Sequence, residues 1–142
     1  MGQAIAGLVV KNGGTPQLLG TGDAATAVTG DIVVLAVPHP AVDGIIAERG
    51  EQLAGKVVVD ITNPLTADYM GLTIGHSTSA AEEIAKAVPE AVVVKAFNTL
   101  FAPVLADGAD FGAGRKATVF VAGDSEPARQ AVAGLAESLG FA

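Results

Sequence analysis

The sequence predicts an α/β domain built on a doubly wound parallel sheet. Short apolar runs rich in β-branched residues recur along the chain, and helical patterns separate them. None of the runs alternates cleanly between apolar and polar residues, which is typical of strands covered on both faces. We therefore expect parallel strands at Asp31–Val37, Lys56–Ile61, Ala91–Phe97 and Ala117–Ala122, with a weaker fifth strand at Pro16–Leu19.

The predicted helices have recognisable start and stop signals. Ser79 and Glu82 have capping-box spacing, and Asn12 with the two glycines after it forms a natural helix end. Helices are expected at Gln3–Lys11, Ala41–Arg49, Ser79–Ala87, Glu126–Leu139 and, with Asp23 as its N-cap, Ala24–Val28. The chain thus opens with a helix, whereas a doubly wound sheet normally opens with a strand that ends in a glycine-rich turn.

The composition excludes several classes of function. Fifteen acidic and eight basic residues give a net charge of −7, and only 4% of residues are aromatic, so we expect no nucleic-acid partner. There is no cysteine, hence no disulfide or thiolate metal site, and no apolar run long enough to span a membrane. We expect a cytoplasmic protein with no membrane partner, and leave a homo-oligomer open.

Small, polar or proline residues follow the predicted strands. In doubly wound sheets, ligands bind beyond the carboxyl ends of the strands. The residues at those ends are Gly20-Thr21, Pro38-His39, Asn63-Pro64 and Asn98. They suit hydrogen bonding to a ligand but form no acid–base set, and ordinary strand-to-helix turns favour the same residue types. Gly2, at the start of a small-residue helix, would allow close approach to a phosphate.

Six segments carry a resemblance that spans nearly the whole chain. They are Met1–Ala6, Gly30–Pro38, Leu53–Leu65, Ser77–Ala85, Val94–Thr99 and Val119–Asp124. In these segments the chain resembles the NADPH-dependent oxidoreductases that reduce the deazaflavin coenzyme F-420. The resemblance implies a single Rossmann-like dinucleotide-binding domain over residues 1–142. Members of that family carry a strand and Gly-x-Gly-Asn before the segment that matches Met1 and continue beyond Phe141. We therefore expect the domain to lack its first strand, to be incomplete at both ends, and to be weakly active or inactive.

The resemblance also implies the cofactor-binding residues. Gly2 matches the last glycine of the phosphate fingerprint, with Gln3 beside it. The other implied residues are Gly20 and Thr21 at the adenosine ribose and its 2′-phosphate; Val37, Pro38 and His39 beside the cofactor; and Asn63, Pro64, Ala96, Phe97 and Asn98 near the nicotinamide. No catalytic side chain and no metal ligand is expected. Phe97 is equally compatible with core packing, and His39 and His76 with exposed loops.

NADP is the expected cofactor, with NAD left open. No Arg or Lys lies between Lys11 and Arg49, so the expected partner of a 2′-phosphate is missing. Asp23 could instead hold a ribose hydroxyl, which would favour NAD.

The expected reaction is hydride transfer between NADPH and the deazaflavin or a similar acceptor. A flavin, a ferric chelate or an imine is the alternative acceptor. A nucleotide-binding module without turnover is the alternative from another class.

Overall fold

The computed structural model describes every residue from Met1 to Ala142. Its elements in chain order are α1 (Gly2–Lys11), β1 (Ile32–Leu35), α2 (Val42–Arg49), β2 (Val57–Asp60), α3 (Ala80–Ala87), β3 (Val92–Ala96), α4 (Ala102–Asp107), β4 (Val121–Ala122) and α5 (Glu126–Ser138). Short 3-10 turns at His39–Ala41 and Gly50–Leu53 flank α2. The predicted strands that correspond to β1, β2 and β3 and the four longer predicted helices are confirmed, with bounds shifted by a few residues.

The strands form one sheet in the order β1-β2-β3-β4. β1 with β2 and β2 with β3 are parallel, but β4 is antiparallel to β3, with Val121 opposite Ala96. The prediction of a fourth parallel strand is therefore wrong in direction, and the strand covers only the end of the predicted run. A parallel crossover must return the chain to the amino ends of the strands. The intervening α4 has six residues and is about 9 Å long, and it packs on α1 instead of crossing the sheet.

The segment before β1 differs from the prediction. No strand forms at Pro16–Leu19 and no helix at Ala24–Val28. Side chains satisfy the backbone of this segment: Gln17 donates to the carbonyl of Ala27 and accepts from the amide of Thr29. In this segment these side-chain bonds satisfy backbone groups that a strand or a helix would otherwise pair with each other.

The sheet is covered on both faces, as a doubly wound architecture requires. On β2, Val58 packs with α2 and α3, whereas the next residue, Val59, packs with α1, α4 and α5. Each face therefore has its own apolar cluster, because successive side chains of a strand point to opposite faces of the sheet. No helix is both long enough and apolar enough to cross a lipid bilayer.

The predicted capping box at the start of α3 is confirmed. The Ser79 hydroxyl accepts from the amide of Glu82, and the Glu82 carboxylate accepts from the amide of Ser79. These bonds lower the pKa of Glu82, so its charge persists as the pH falls toward the ordinary glutamate range.

A buried ion pair joins β2 to β3 where both strands end. The Asp60 side chain is fully buried, and its Oδ2 lies 2.8 Å from Lys95 Nζ, which is 24% exposed. Lys95 also donates to the carbonyl of Thr62, and Asp60 Oδ1 accepts from the amide of Thr62. The pair thus determines the direction in which the chain leaves β2.

We predict that Lys95→Met lowers the free energy of unfolding by about 3 kcal/mol, because it leaves a buried carboxylate without its partner. The double variant Asp60→Asn/Lys95→Met should recover at least half of that loss. Urea unfolding measures both variants. Lys86→Met, which removes an exposed ion pair with Glu83, is the control and should change stability far less. A double variant as unstable as Lys95→Met would contradict the prediction.

Candidate functional site

Two asparagines meet at the carboxyl edge of the sheet. Asn63 Nδ2 donates to the carbonyl of Asn98 at 2.9 Å, and Asn98 Nδ2 donates to Asn63 Oδ1 at 3.3 Å. The loops after β2 and β3 are therefore tied to each other beyond the ends of neighbouring parallel strands, where ligands of such sheets bind. Asn63 is exposed and Asn98 half-buried, so both can also face a ligand.

The loop after β3 turns sharply at Phe97, whose φ of 59° lies in the left-handed region that bulky residues rarely occupy. The Phe97 ring is fully buried and packs edge-to-face on Phe141, with ring centroids 6.0 Å apart. Ala96 is also fully buried. The Phe97 ring is therefore part of the core, which was the alternative interpretation of this residue. Ala96 and Phe97 can contact a ligand only through their backbone.

The start of α1 lies against the turn that follows β1. A Cβ added to Gly2 would lie 2.9 Å from the Cβ of Ala36, so only glycine allows this approach. No side chain caps the helix, which leaves first-turn amides free to bind an anion. The chain after Ala36 runs through half-buried Val37 and exposed Pro38 to His39, while Gln3 is exposed on the helix. This region fits a phosphate-binding role.

A separate turn contains Gly20 and Thr21. The Gly20 amide donates to Asp23 Oδ2 at 2.8 Å, and the Asp23 amide donates back to the Gly20 carbonyl. Arg49 holds this segment by donating to the carbonyls of Asp23 and Thr26. Because Arg49 ends α2, which leads from β1 back toward β2, the turn is anchored near the amino ends of the strands. The structure therefore does not bring Gly20 and Thr21 together with Asn63 and Asn98.

Three residues near these turns were not identified from the sequence. Arg49 is buried at the end of α2 and holds the carbonyls of Asp23 and Thr26, although it follows Asp23 by 26 positions. Lys95 holds the Thr62 carbonyl. The Thr62 hydroxyl is buried and has no hydrogen-bond partner in the chain. A charged residue inside an apolar run, as at Asp60 and Lys95, was the available signal for the ion pair.

The loop after Pro64 forms a small hairpin beside the two asparagines. Leu65 pairs with Leu72, and the Thr73 amide donates to the Pro64 carbonyl at 2.7 Å. At its tip, hydrogen bonds from the Thr66 hydroxyl and the Met70 amide lower the pKa of Asp68. The tip contacts should therefore hold at neutral pH and weaken as the pH falls and Asp68 takes up a proton.

Comparison with known proteins connects this geometry to a family. Residues 17–64 match the sequence model of the family described as NADP oxidoreductase, coenzyme F420-dependent. The chain is 36% identical over 96 residues to the metalloreductase STEAP3 of Rattus norvegicus, a match that covers 68% of this chain and 18% of that protein.

Two solved structures are similar in both sequence and fold. A hypothetical protein from Sinorhizobium meliloti has a TM-score of 0.74 at 36% identity, covering 84% of this chain and 57% of its own. A candidate F420-dependent NADP reductase from Arthrobacter sp. FB24 has a TM-score of 0.71 at 36% identity. The match covers 83% of this chain and 55% of the reductase chain. The chain thus spans little more than half the length of these two proteins.

A third structure shares the fold alone. The pyrroline carboxylate reductase of Plasmodium falciparum, solved with NADP bound, has a TM-score of 0.63 at 15% identity and covers 99% of this chain and 52% of its own. The sheet and its flanking helices are accordingly Rossmann-like. Residues 17–64 and the fold as a whole are thus similar to those of the coenzyme F420-dependent NADP oxidoreductases.

Proposed function

We propose that this chain binds NADPH at the carboxyl edge of its sheet and positions it for hydride transfer to a deazaflavin or a similar planar acceptor. The observation that carries the proposal is the Asn63–Asn98 pairing. This pairing joins, at the carboxyl edge of the sheet, the two loops that the family resemblance assigns to the nicotinamide. The family description and the Arthrobacter relative support the acceptor class.

The chain's own residues would act by position rather than by proton transfer. The bound nicotinamide and acceptor supply the chemistry: one hydride passes from NADPH to the acceptor, which takes any further proton from solvent. Asn63 and Asn98 would orient the carboxamide end of the nicotinamide. The turn at Val37, Pro38 and His39 would run along the cofactor, and the start of α1 at Gly2 and Gln3 would hold its pyrophosphate.

A metal chelate is the second candidate acceptor. The observation that favours it is the 36% identity to a metalloreductase over two-thirds of this chain. No three His, Asp or Glu side chains converge on a common point in the structure, so a ferric ion would enter as a chelate rather than on protein ligands.

We expect this chain to oxidise NADPH when a deazaflavin is added, slowly, as the sequence predicts, but faster than when FMN or ferric citrate is added. Absorbance of the reduced nicotinamide measures the rate. Asn98→Asp should lower kcat/KM by roughly 10–100-fold, because it replaces the amide that donates to Asn63 with a carboxylate that repels the Asn63 oxygen and cannot donate to a ligand. Asn12→Asp, at the end of α1, is the matched control and should leave kcat/KM unchanged. Binding of NADPH without turnover on any acceptor would instead identify a nucleotide-binding module.

A substitution at Gly2 tests the phosphate site. Gly2→Val should weaken NADPH binding roughly tenfold or more, because its side chain would push the start of α1 away from Ala36 and the adjoining turn. Gly7→Val, on the same helix with nothing within 4 Å of an added Cβ, is the control. Calorimetric titration measures both. Equal NADPH affinities for the two variants would contradict the assignment.

The cofactor preference follows from the turn at Gly20. Asp23 accepts from the Gly20 amide, and Arg49 is buried and bonded to the carbonyls of Asp23 and Thr26. The turn therefore offers no free cation to a 2′-phosphate, and we expect NADPH to bind at most about 2–5-fold more tightly than NADH. Arg49→Gln should lower the melting temperature but leave this ratio unchanged, because Arg49 holds the backbone of the turn rather than the cofactor. Calorimetric titration of both cofactors measures the ratio. A clear preference for NADH would show that Asp23 contacts the ribose.

A further inference from the structure

An open apolar groove of about 440 Å³ adjoins the loop after β3. It begins at Thr99, directly after Asn98, and Phe101, Phe111 and Phe120 line it. Because Val121 pairs with Ala96, the last residue of β3, the preceding Phe120 lies beyond the carboxyl end of that strand. The groove is therefore at the same edge of the sheet as the two asparagines.

The three aromatic rings of the groove are exposed to an unusual degree. Phe101 is 77%, Phe111 54% and Phe120 68% exposed, whereas the chain's other two phenylalanines are buried in the core. Full burial of such a side chain is worth about 1.5–3 kcal/mol, so leaving three exposed around one concavity is costly. Clustered exposed apolar residues of this kind mark binding surfaces.

One charge distinguishes this groove from a simple apolar patch. Lys116 is the sole charged side chain among the residues that line it, in a chain whose net charge is −7. Asp110 lies opposite Lys116 in an antiparallel bridge, but Lys116 forms no ion pair. A free cation beside aromatic rings favours a ligand that combines a flat aromatic system with an anionic group. The volume falls within the range of small-molecule sites.

We propose that this groove binds the ring system of the hydride acceptor, with Phe101, Phe111 and Phe120 against a fused planar aromatic ring and Lys116 beside an anionic substituent. The inference rests on the proposed function, because it assigns the groove to the acceptor. The inference goes beyond the proposed function because it names the residues that would select an aromatic anion over a small metal chelate or an imine.

Riboflavin and FMN form a matched pair of probes, because they share one ring system and differ by a phosphate. Quenching of flavin fluorescence by the whole chain, without NADPH, measures binding. Phe120→Ser should weaken both flavins roughly tenfold, which is the scale of one lost stacking contact. Lys116→Gln should weaken FMN about 2–5-fold and leave riboflavin unchanged. Arg115→Gln, which removes the neighbouring charge outside the groove, should change neither.

Three results would overturn the proposal: binding of neither flavin, equal losses for Lys116→Gln and Arg115→Gln, or self-association in sedimentation that Phe120→Ser abolishes. The last would identify the groove as a contact between copies of this chain. Phe120 is exposed, so its substitution should leave the melting temperature unchanged. NADPH binding is measured separately: flavin binding without NADPH binding would contradict the proposed function but not the groove, and the reverse would contradict only the groove.

Discussion

The arrangement of the carboxyl edge depends on neutralising one buried carboxylate. Asp60 is fully buried at the end of β2, and a charge in that position requires a partner. Lys95, on the neighbouring parallel strand, supplies it and also holds the Thr62 carbonyl. The strand ends and the first residues of the next loop therefore have one geometry, and the contact between Asn63 and Asn98 follows from it.

The same edge combines two kinds of surface with different chemistry. Around Asn63 and Asn98 it is polar and neutral, which suits hydrogen bonding to an amide. Beyond Thr99 it is aromatic, with Lys116 as its cation. Hydride transfer between two rings needs one ring fixed by hydrogen bonds and another held face to face with it. The two surfaces adjoin along the chain, so a cofactor and an acceptor could lie side by side there.

Close backbone approach is the second constraint on the site. Gly2 lets the start of α1 lie against Ala36, and Phe97 has a left-handed backbone while its ring packs in the core against Phe141. Both positions place backbone groups, rather than side chains, at the expected cofactor surface. This agrees with the lack of a convergent acid–base or metal set, since such a site acts by orienting its ligands.

The sequence by itself determined the α/β class, the three parallel strands and, to within a few residues, the four longer helices, because these follow from local periodicity and capping that neighbouring residues encode. It also located the turns after β1, β2 and β3. Only the tertiary structure decided the direction of β4, the loss of the strand at Pro16–Leu19, the role of Arg49 and the burial of the Phe97 ring. Each of these depends on contacts between residues far apart in the chain, which no local pattern records.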